Sequence, residues 1–358
     1  MNLDWYELEF PPELPPEPLL QFMRSLAARA RRGLLMLPDP LIIEVEGAGG
    51  RLTWRLGITE REAEQVLGTL YSSLPNVRST PVTPDRITPQ QAWELRTTAR
   101  RRPLRTDVPT EVATALLVAL QAAGPDERLV VQWVIGGWVL RNVIPSGRVQ
   151  PGGSSWLPGQ GELVLTTEQA AAARTKQQEP LFEVVTRVGV TAKNETRRRQ
   201  LRQRVVGSLQ LLRLPGNGFE RRLWPSWFVK SRLVRCKRPR LHWPCVLSAS
   251  ELMAAVGIPV GNPVLAGVTY SGQRQLPARS AVVLPLGSTT TDRVTGRVTF
   301  PGQDGLLTQT VGDSLSHTWC MAPTGAGKSW WLAGLALGEV AAGRGLIVVD
   351  GKGDLVRD

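Results

Sequence analysis

The chain has 358 residues, enough for roughly two or three domains with sizeable hydrophobic cores. Hydrophobic residues make up 42% of it and charged residues 21%, which excludes a disordered or fibrous protein. No apolar run reaches the roughly 18 residues of a membrane-spanning helix, and the first residues are acidic and rich in proline, unlike a signal peptide. We therefore expect a cytoplasmic protein without a transmembrane segment.

The net charge of +12 comes almost entirely from arginine, because only six of the 43 basic residues are lysine. A basic chain is typical of proteins that bind nucleic acid, but an arginine-rich composition produces the same excess without a functional cause.

Three cysteines are too few for a disulfide framework, which agrees with a reducing compartment. Cys236, His242 and Cys245 match no common zinc-finger spacing and lack a fourth ligand. We therefore expect no structural metal.

Residues 1–38 predict an N-terminal helical arm. Trp5 and Phe10 precede a proline-rich turn, and a basic helix with an apolar stripe is predicted from Pro18 to Arg32. The stripe packs on its own domain or, as the alternative, lies on an anionic membrane surface.

Residues 39–145 predict a first α+β domain. It opens with a hairpin whose strands are joined by Gly47-Ala48-Gly49-Gly50, and Thr59 with Glu62 predicts a capping box at the start of an amphipathic helix. The further predicted elements are a strand at 77–82, a β-prone run at 92–98, a helix at 111–123 and a strand at 129–139.

Residues 146–179 predict an exposed linker rich in glycine, proline, alanine and glutamine, and residues 180–250 a second, basic α+β domain. Its strand ends Val188-Gly189-Val190-Thr191 before a helix from Asn194, as the first domain's strand ends Leu56-Gly57-Ile58-Thr59 before its own. This likeness predicts a diverged duplication. A ferredoxin-like fold for each copy is our hypothesis.

The second copy carries the strongest basic patch of the chain. Arginines on its helix and after it alternate with Trp224, Trp227 and Phe228, a combination that can hold phosphates and stack on bases. A solvated helix face with aromatic residues in the core is the competing interpretation. The candidate DNA-binding residues are Arg198, Arg202, Arg235 and Arg238.

Residues 251–312 predict a β-rich segment, with β-prone runs at 281–286, 294–300 and 306–311. Residues 313–358 then predict the start of a nucleotide-binding domain. A β-prone run at 317–321 precedes a glycine-rich loop, and a helix from Trp330 to Ala342 and a strand at 346–349 follow it.

The loop, Ala322-Pro323-Thr324-Gly325-Ala326-Gly327-Lys328-Ser329, has the pattern of a Walker A phosphate loop except for alanine at the first position. In this pattern the backbone N–H groups of Thr324 to Ser329 surround the phosphates, Lys328 neutralises their charge and Ser329 binds Mg²⁺. The sequence therefore predicts ATP and Mg²⁺ as cofactors, with Lys328 stabilising the phosphates.

Residues after the last predicted strand indicate which family of phosphate-loop proteins the chain resembles. Asp350, Lys352 and Asp354 lie in Asp-Gly-Lys-Gly-Asp-Leu, which resembles an element of the FtsK/HerA-like ATPases of conjugation and type IV secretion. Two further segments resemble the same family, Ser248-Ala249-Ser250-Glu251-Leu252 and His317 before the loop.

The resemblance implies a RecA-like motor domain, a homo-hexamer and ATP-dependent DNA translocation through a membrane pore. It also implies partners among the secretion channel proteins and a position against the inner face of the cytoplasmic membrane. Two alternatives stay open: an ATPase that powers protein secretion or pilus assembly, and a nucleotide-binding assembly module without turnover.

A motor of this type needs an acidic residue on a later strand to activate water. No residue of the chain holds that position in the resemblance, so the catalytic residues are unknown and enzymatic activity is left open. We expect the chain to be the N-terminal part of a motor.

Overall fold

A computed structural model describes residues 3–29, 39–74, 76–100, 102–139, 167–239, 242–261, 268–271, 282–288, 292–298, 305–315 and 327–349, with a few single positions between them. The chain divides into two compact units, residues 1–273, here called the sheet unit, and residues 274–358, here called the C-terminal unit. No helix among the described residues is long and apolar enough to cross a lipid bilayer.

The sheet unit is built on one antiparallel sheet. Its nine strands are β1 (Asp4–Glu9), β2 (Leu41–Ala48), β3 (Arg51–Ile58), β4 (Arg78–Val82), β5 (Gln91–Thr97), β6 (Arg128–Val139), β7 (Leu181–Thr191), β8 (Phe219–Arg221) and β9 (Cys245–Ser248). They lie in the order β4-β1-β3-β2-β6-β7-β5-β8, with β9 paired to β7. An α+β architecture is thereby confirmed.

Helices cover the two faces of this sheet unequally. The helices of the unit are α1 (Pro16–Ser25), α2 (Glu60–Ser73), α3 (Pro109–Gln121), α4 (Thr167–Gln177), α5 (Glu195–Gln210), α6 (Ser226–Val234) and α7 (Ala249–Ala255). Alternate strand residues point to opposite faces. Leu129, Val131 and Trp133 join the main core with α1, α2, α3, α5 and α7 on the helix-covered face. Val134 points to the other face, the α6 face, where smaller clusters include Cys236 and residues of α6.

The sheet consists of two halves with the same order of elements. Residues 4–82 run β1-α1-β2-β3-α2-β4, and residues 91–221 run β5-α3-β6-β7-α5-β8 with α4 inserted before β7. The first half has the spatial order β4-β1-β3-β2 and the second the order β8-β5-β7-β6. The halves join edge to edge through β2 and β6.

Strand register relates the two halves residue by residue. Glu7 lies opposite Arg55 in the first half, and Glu94 lies opposite Arg187 in the second. At the junction Glu44 of β2 lies opposite Gln132 of β6. In its other neighbouring strand Glu44 has Arg55 opposite it, and Gln132 has Arg187. Because equivalent residues meet at the junction, a local pseudo-twofold axis passes between β2 and β6. The register equates Thr59 with Thr191, in agreement with the likeness of the two segments in the sequence.

The expected division into domains at 39–145 and 180–250 is wrong. Strand β6 from the first range pairs along most of its length with β7 from the second, so both lie in one sheet. The expected arm at 1–38 is wrong as well, because Asp4–Glu9 forms β1 between β3 and β4. Its apolar stripe, including Leu19 and Phe22, is buried in the main core and is not available to a membrane.

Part of the expected linker at 146–179 is the helix α4, and residues 140–166 lie outside the described parts of the chain. The Nζ of Lys176 donates to the carbonyl oxygens of Arg102 (3.1 Å) and Val246 (2.9 Å) and lies 2.8 Å from the carboxylate of Glu251. A buried lysine with three oxygen partners anchors α4 to the fold.

The capping box predicted at Thr59 does not form. Thr59 makes no side-chain cap, and Glu62 instead accepts from the backbone of Asp39 (3.2 Å) and pairs with Arg29 (3.5 Å). A capping box occurs at Ser248 and Glu251, at the start of α7. In this fold the Ser-x-x-Glu-Leu segment therefore begins a buried helix, and it belongs to the sheet unit rather than to the predicted segment from 251.

The C-terminal unit contains a small antiparallel sheet in the order β10-β12-β11. Its elements are β10 (Val283–Leu284), β11 (Arg293–Arg297), β12 (Leu306–Gln309), α8 (Val311–Ser314) and α9 (Lys328–Ala341). The three β-prone runs thus form strands, each shorter than expected. The helix expected from Trp330 to Ala342 is confirmed as α9.

Contacts with β11 hold α9 in place. The indole nitrogen of Trp331 donates to the carbonyl oxygen of Thr295 (2.8 Å), and Glu339 pairs with Arg293 (2.7 Å).

The strand expected at 346–349 does not form, and Ile347 and Val349 are about 90% exposed. A strand needs a hydrogen-bonded neighbour, and none of the described residues provides one here. The run at 317–321 lies outside the described residues except for Cys320.

Candidate nucleotide motif and basic groove

The structure describes part of the predicted phosphate loop. Thr324, Gly325 and Ala326 lie outside the described residues, as do Asp350, Lys352 and Asp354. Gly327, Lys328 and Ser329 are described, and they form the junction between the loop and α9.

Gly327 is the N-cap of α9 and has a φ of 80°, a left-handed conformation that side chains other than glycine rarely adopt. Lys328 and Ser329 are the first two residues of the helix, where backbone N–H groups have no partner within the helix. A helix N-terminus with a lysine beside it suits an anion such as a phosphate. The hydroxyl of the exposed Ser329 lies on the same turn.

No cluster of three metal-ligating side chains occurs in the described parts of the chain. Cys236 belongs to a cluster on the α6 face and Cys245 to the main core on the helix-covered face, so they cannot share a metal ion. Burial raises the pKa of each thiol to about 12, so both are structural residues.

The four candidate DNA-binding arginines do not form one surface. Arg198 and Arg202 lie on α5, whereas Arg235 and Arg238 follow α6 on the opposite face of the sheet. Arg198 is largely satisfied within the fold, because its guanidinium donates to Gln90 (3.0 Å), to the Ala192 carbonyl (3.0 Å) and to Glu195 (3.3 Å). The sequence pattern grouped these residues because they are neighbours in the chain.

Arg235 and Arg238 line a groove of about 1180 Å³ on the α6 face. Positive charge predominates, since only Asp39 among the lining residues is acidic. The cations are Arg86, Arg232, Arg235, Lys237 and Arg238, and the aromatic residues are Trp5, Trp227 and Phe228.

The end of α6 brings the cations to the groove. Cys236 has a φ of 51°, and the backbone N–H of Lys237 donates to the carbonyl of Arg232 (2.9 Å), as in a Schellman motif. Glycine usually holds the position of Cys236, and a side chain there costs about 1 kcal/mol. The chain reversal leaves Arg235, Lys237 and Arg238 exposed on one side.

Arg187 of β7, in the sheet under α6, holds the end of this helix in place. Its guanidinium donates to the carbonyl oxygens of Arg232 (3.3 Å) and Lys237 (2.5 Å), at the negative end of the helix dipole. It also donates to Glu94 (3.3 Å) and Gln132 (2.9 Å). Burial lowers the pKa of Arg187 to about 10, which leaves it charged at neutral pH.

Arg187 belongs to a row of polar residues that crosses four strands beneath the groove. Glu44, Gln132, Arg187 and Glu94 lie opposite one another in successive strands, and all four are buried. Arg86 pairs with Glu44 at one end (2.6 Å), and Arg222 pairs with Glu94 at the other (2.8 Å). Each buried charge therefore has an opposite charge, as burial requires.

The aromatic residues of the groove include an exposed one. The side chain of Trp227 is 71% exposed and lies edge-to-face with Phe228, with ring centroids 5.9 Å apart. Arg86 lies over the ring of Trp5 at 3.9 Å. Exposed aromatic rings beside unpaired cations can stack on bases while the cations contact phosphates.

Sequence reasoning identified Trp227, Phe228, Arg235 and Arg238 for this role but missed Trp5 and Arg86. Trp5 lies on β1 and Arg86 in the segment between β4 and β5, both far from α6 in the chain, and no local pattern linked them to α6.

No family model matches the chain, no curated protein matches it and no solved structure matches it.

Proposed function

We propose that this chain is an ATP-binding motor subunit of a conjugative DNA-transfer or type IV secretion system, related to the FtsK/HerA-like ATPases. The observation that carries the proposal is Gly327-Lys328-Ser329 at the start of α9, within a Walker A sequence. The working form under this proposal is a hexamer that moves DNA through channel proteins at the cytoplasmic membrane.

The proposal includes two finer statements about the fold. Each half of the sheet unit is a ferredoxin-like domain, which the order β4-β1-β3-β2 and its repetition support. Helix α9 is the phosphate-loop helix of a RecA-like domain, which its position directly after the glycine-rich loop supports.

The residues present fit a magnesium nucleotide. Gly327 permits the left-handed turn into the helix, the first-turn N–H groups and Lys328 would bind the phosphates, and Ser329 would bind the metal ion. The bound Mg²⁺ would neutralise charge that develops on the phosphate oxygens.

Replacing Lys328 tests the nucleotide site. We expect Lys328→Ala to weaken MgATP binding at least tenfold in a calorimetric titration, because a charge-assisted contact contributes about 1.5–3 kcal/mol. The matched control is Lys193→Ala, which removes the same charge from a side chain that is 77% exposed. Equal affinities in the three proteins would refute the nucleotide site.

The groove supports DNA as the cargo and gives the second test. Arg235, Lys237 and Arg238 are exposed and form no ion pair with any described residue. We expect charge reversal of all three to reduce the slope of log affinity for single-stranded DNA against log salt by about 2, because each phosphate contact contributes about 0.7.

The control reverses three exposed arginines on or just after α5, Arg199, Arg204 and Arg213, and should reduce binding much less. Equal losses in the two triple variants would indicate nonspecific attraction to the whole surface.

An assembly module that binds nucleotide without turnover is the second candidate. Helix α9 favours it, because Trp330 is 85% and Leu337 70% exposed and no described residue covers them. Steady phosphate release from the purified chain with MgATP would exclude the module. Absence of release is expected both of the module and of a motor subunit in which no residue holds the catalytic-acid position, and salt-sensitive binding of single-stranded DNA then separates the two.

A further inference from the structure

A cleft of about 370 Å³ lies on the helix-covered face of the second half, apart from the basic groove. Trp93, Leu95 and Val188 form its floor from strands β5 and β7, and Val206 of α5 forms a wall. Arg202 of α5 and Arg221 of β8 complete the lining. The volume is that of a small-molecule site, and the lining is apolar with charges on one side.

The two arginines of the cleft form no ion pair within the described parts of the chain. The guanidinium of Arg202 lies over the ring of Trp93, 4.9 Å from its centroid. Neither Arg202 nor Arg221 pairs with an acidic side chain among the described residues. Partial burial and the positive charges of Arg221 and Arg199 lower the pKa of Arg202. An anion between the two guanidiniums would relieve this repulsion.

Gly207 leaves the cleft open. It lies inside α5 and lines the cleft, and a Cβ placed on it would have no atom within 4 Å. Glycine inside a helix costs roughly 0.5–1 kcal/mol relative to alanine. A side chain would fit at this position of α5, and its absence leaves that space as part of the cleft.

The first half has a hydrogen-bonded pair of side chains at the equivalent positions. Strand register equates Ser79 with Arg221, because they lie opposite Leu8 and Leu95. Counting from the two helix N-caps equates Tyr71 of α2 with Val206 of α5. Tyr71 and Ser79 are joined by a hydrogen bond between their hydroxyls. The second half has valine and arginine at these two positions, so no hydroxyl–hydroxyl bond joins its helix to its edge strand there.

We propose that this cleft binds an apolar carboxylate whose ring or chain lies against Trp93 and whose carboxylate bridges Arg202 and Arg221. Planar guanidiniums suit a carboxylate, and an apolar body replaces water at the floor. The ligand is a free aromatic or aliphatic acid, or the C-terminal aromatic residue of a peptide. The proposal does not depend on the proposed motor function.

Titration of the full chain with indole-3-acetate, measured by calorimetry, tests the site. Tryptamine, which carries the same ring and a positive charge, is the comparison ligand. We expect the acid to bind at least tenfold more tightly, and the double variant Arg202→Gln/Arg221→Gln to lose at least tenfold in affinity for it. Equal affinity for both ligands, or an unchanged affinity in the double variant, would overturn the proposal.

Filling the cleft gives an independent test. Gly207→Leu should abolish binding, whereas Gly68→Leu in α2, where a Cβ also meets no atom within 4 Å, should leave it unchanged.

A peptide with C-terminal tryptophan, compared with its amide, distinguishes the two sources of the carboxylate. Binding of the free peptide acid alone identifies a peptide terminus, and binding of indole-3-acetate alone identifies a small molecule. If neither binds at about 10 mM, no carboxylate site exists here.

Discussion

Replacement of Arg187 by methionine is expected to destabilise the sheet unit more than any surface change. The variant keeps the apolar stem but removes hydrogen bonds to Glu94, Gln132 and the carbonyls of Arg232 and Lys237. Breaking a buried ion pair costs about 3–5 kcal/mol. Glu94 keeps Arg222 as a partner at 2.8 Å, so we expect about 3–4 kcal/mol.

The pseudo-symmetry of the sheet provides a matched control. Arg55 occupies the position of Arg187 in the first half, but its side chain is 15% exposed, and its one ion pair among the described residues is with Glu46, which Arg128 also neutralises. Because Glu46 keeps Arg128 as a partner and no buried charge is left unpaired, Arg55→Met should cost about 1 kcal/mol, the net contribution of one hydrogen bond.

Urea unfolding, followed by tryptophan fluorescence, measures both variants, because Trp54 and Trp133 are buried in the main core. The expected difference of about 2–3 kcal/mol separates the two midpoints by about 0.7–1 M, because a unit of this size has an m-value of about 3 kcal/mol/M in urea. Coincident midpoints would refute the role given to Arg187.

Three further predictions concern single sites. Arg293 and Arg344 lower the pKa of Glu339 to about 2, so its stabilising effect on α9 should be complete above about pH 4.5 and lost towards pH 2, as read by circular dichroism. Iodoacetamide at pH 8 should modify the exposed Cys320 but not the buried Cys236, as read by mass spectrometry. Gly47→Ala should lower the melting temperature strongly, because its Cβ would lie 2.0 Å from the carbonyl oxygen of Leu120.

Each of these predictions has a control. Glu339→Gln should remove the acid transition of α9, and an unchanged transition would contradict the assignment. The Glu339 side chain is only 6% exposed, but the groups that cover it are the guanidiniums of Arg293 and Arg344. These lower the pKa of Glu339 more than burial raises it. Cys236 should react once the chain is unfolded. Gly68→Ala, in open space, should raise the melting temperature slightly, and equal effects of the two alanines would contradict the packing argument.

Local patterns in the sequence sufficed to identify most elements. The alternation of 129–139, the apolar helix at 111–123 and the turn at Gly49-Gly50 correspond to β6, α3 and the β2–β3 hairpin. These elements follow from side-chain periodicity and from backbone conformations that glycine permits, which neighbouring residues determine. The capping box expected at Thr59 failed because Glu62 has a stronger partner in Arg29, which is distant in the chain.

By itself, the sequence determined the periodicity of the strands and helices, the likeness of the segments ending at Thr59 and Thr191, and the phosphate-loop pattern before α9. Only the tertiary structure decided that β1 lies between β3 and β4 and that β6 pairs with β7. It also placed Arg202 and Arg235 on opposite faces of one sheet. Strand partners are chosen by contacts between residues distant in the chain, and no local pattern encodes them.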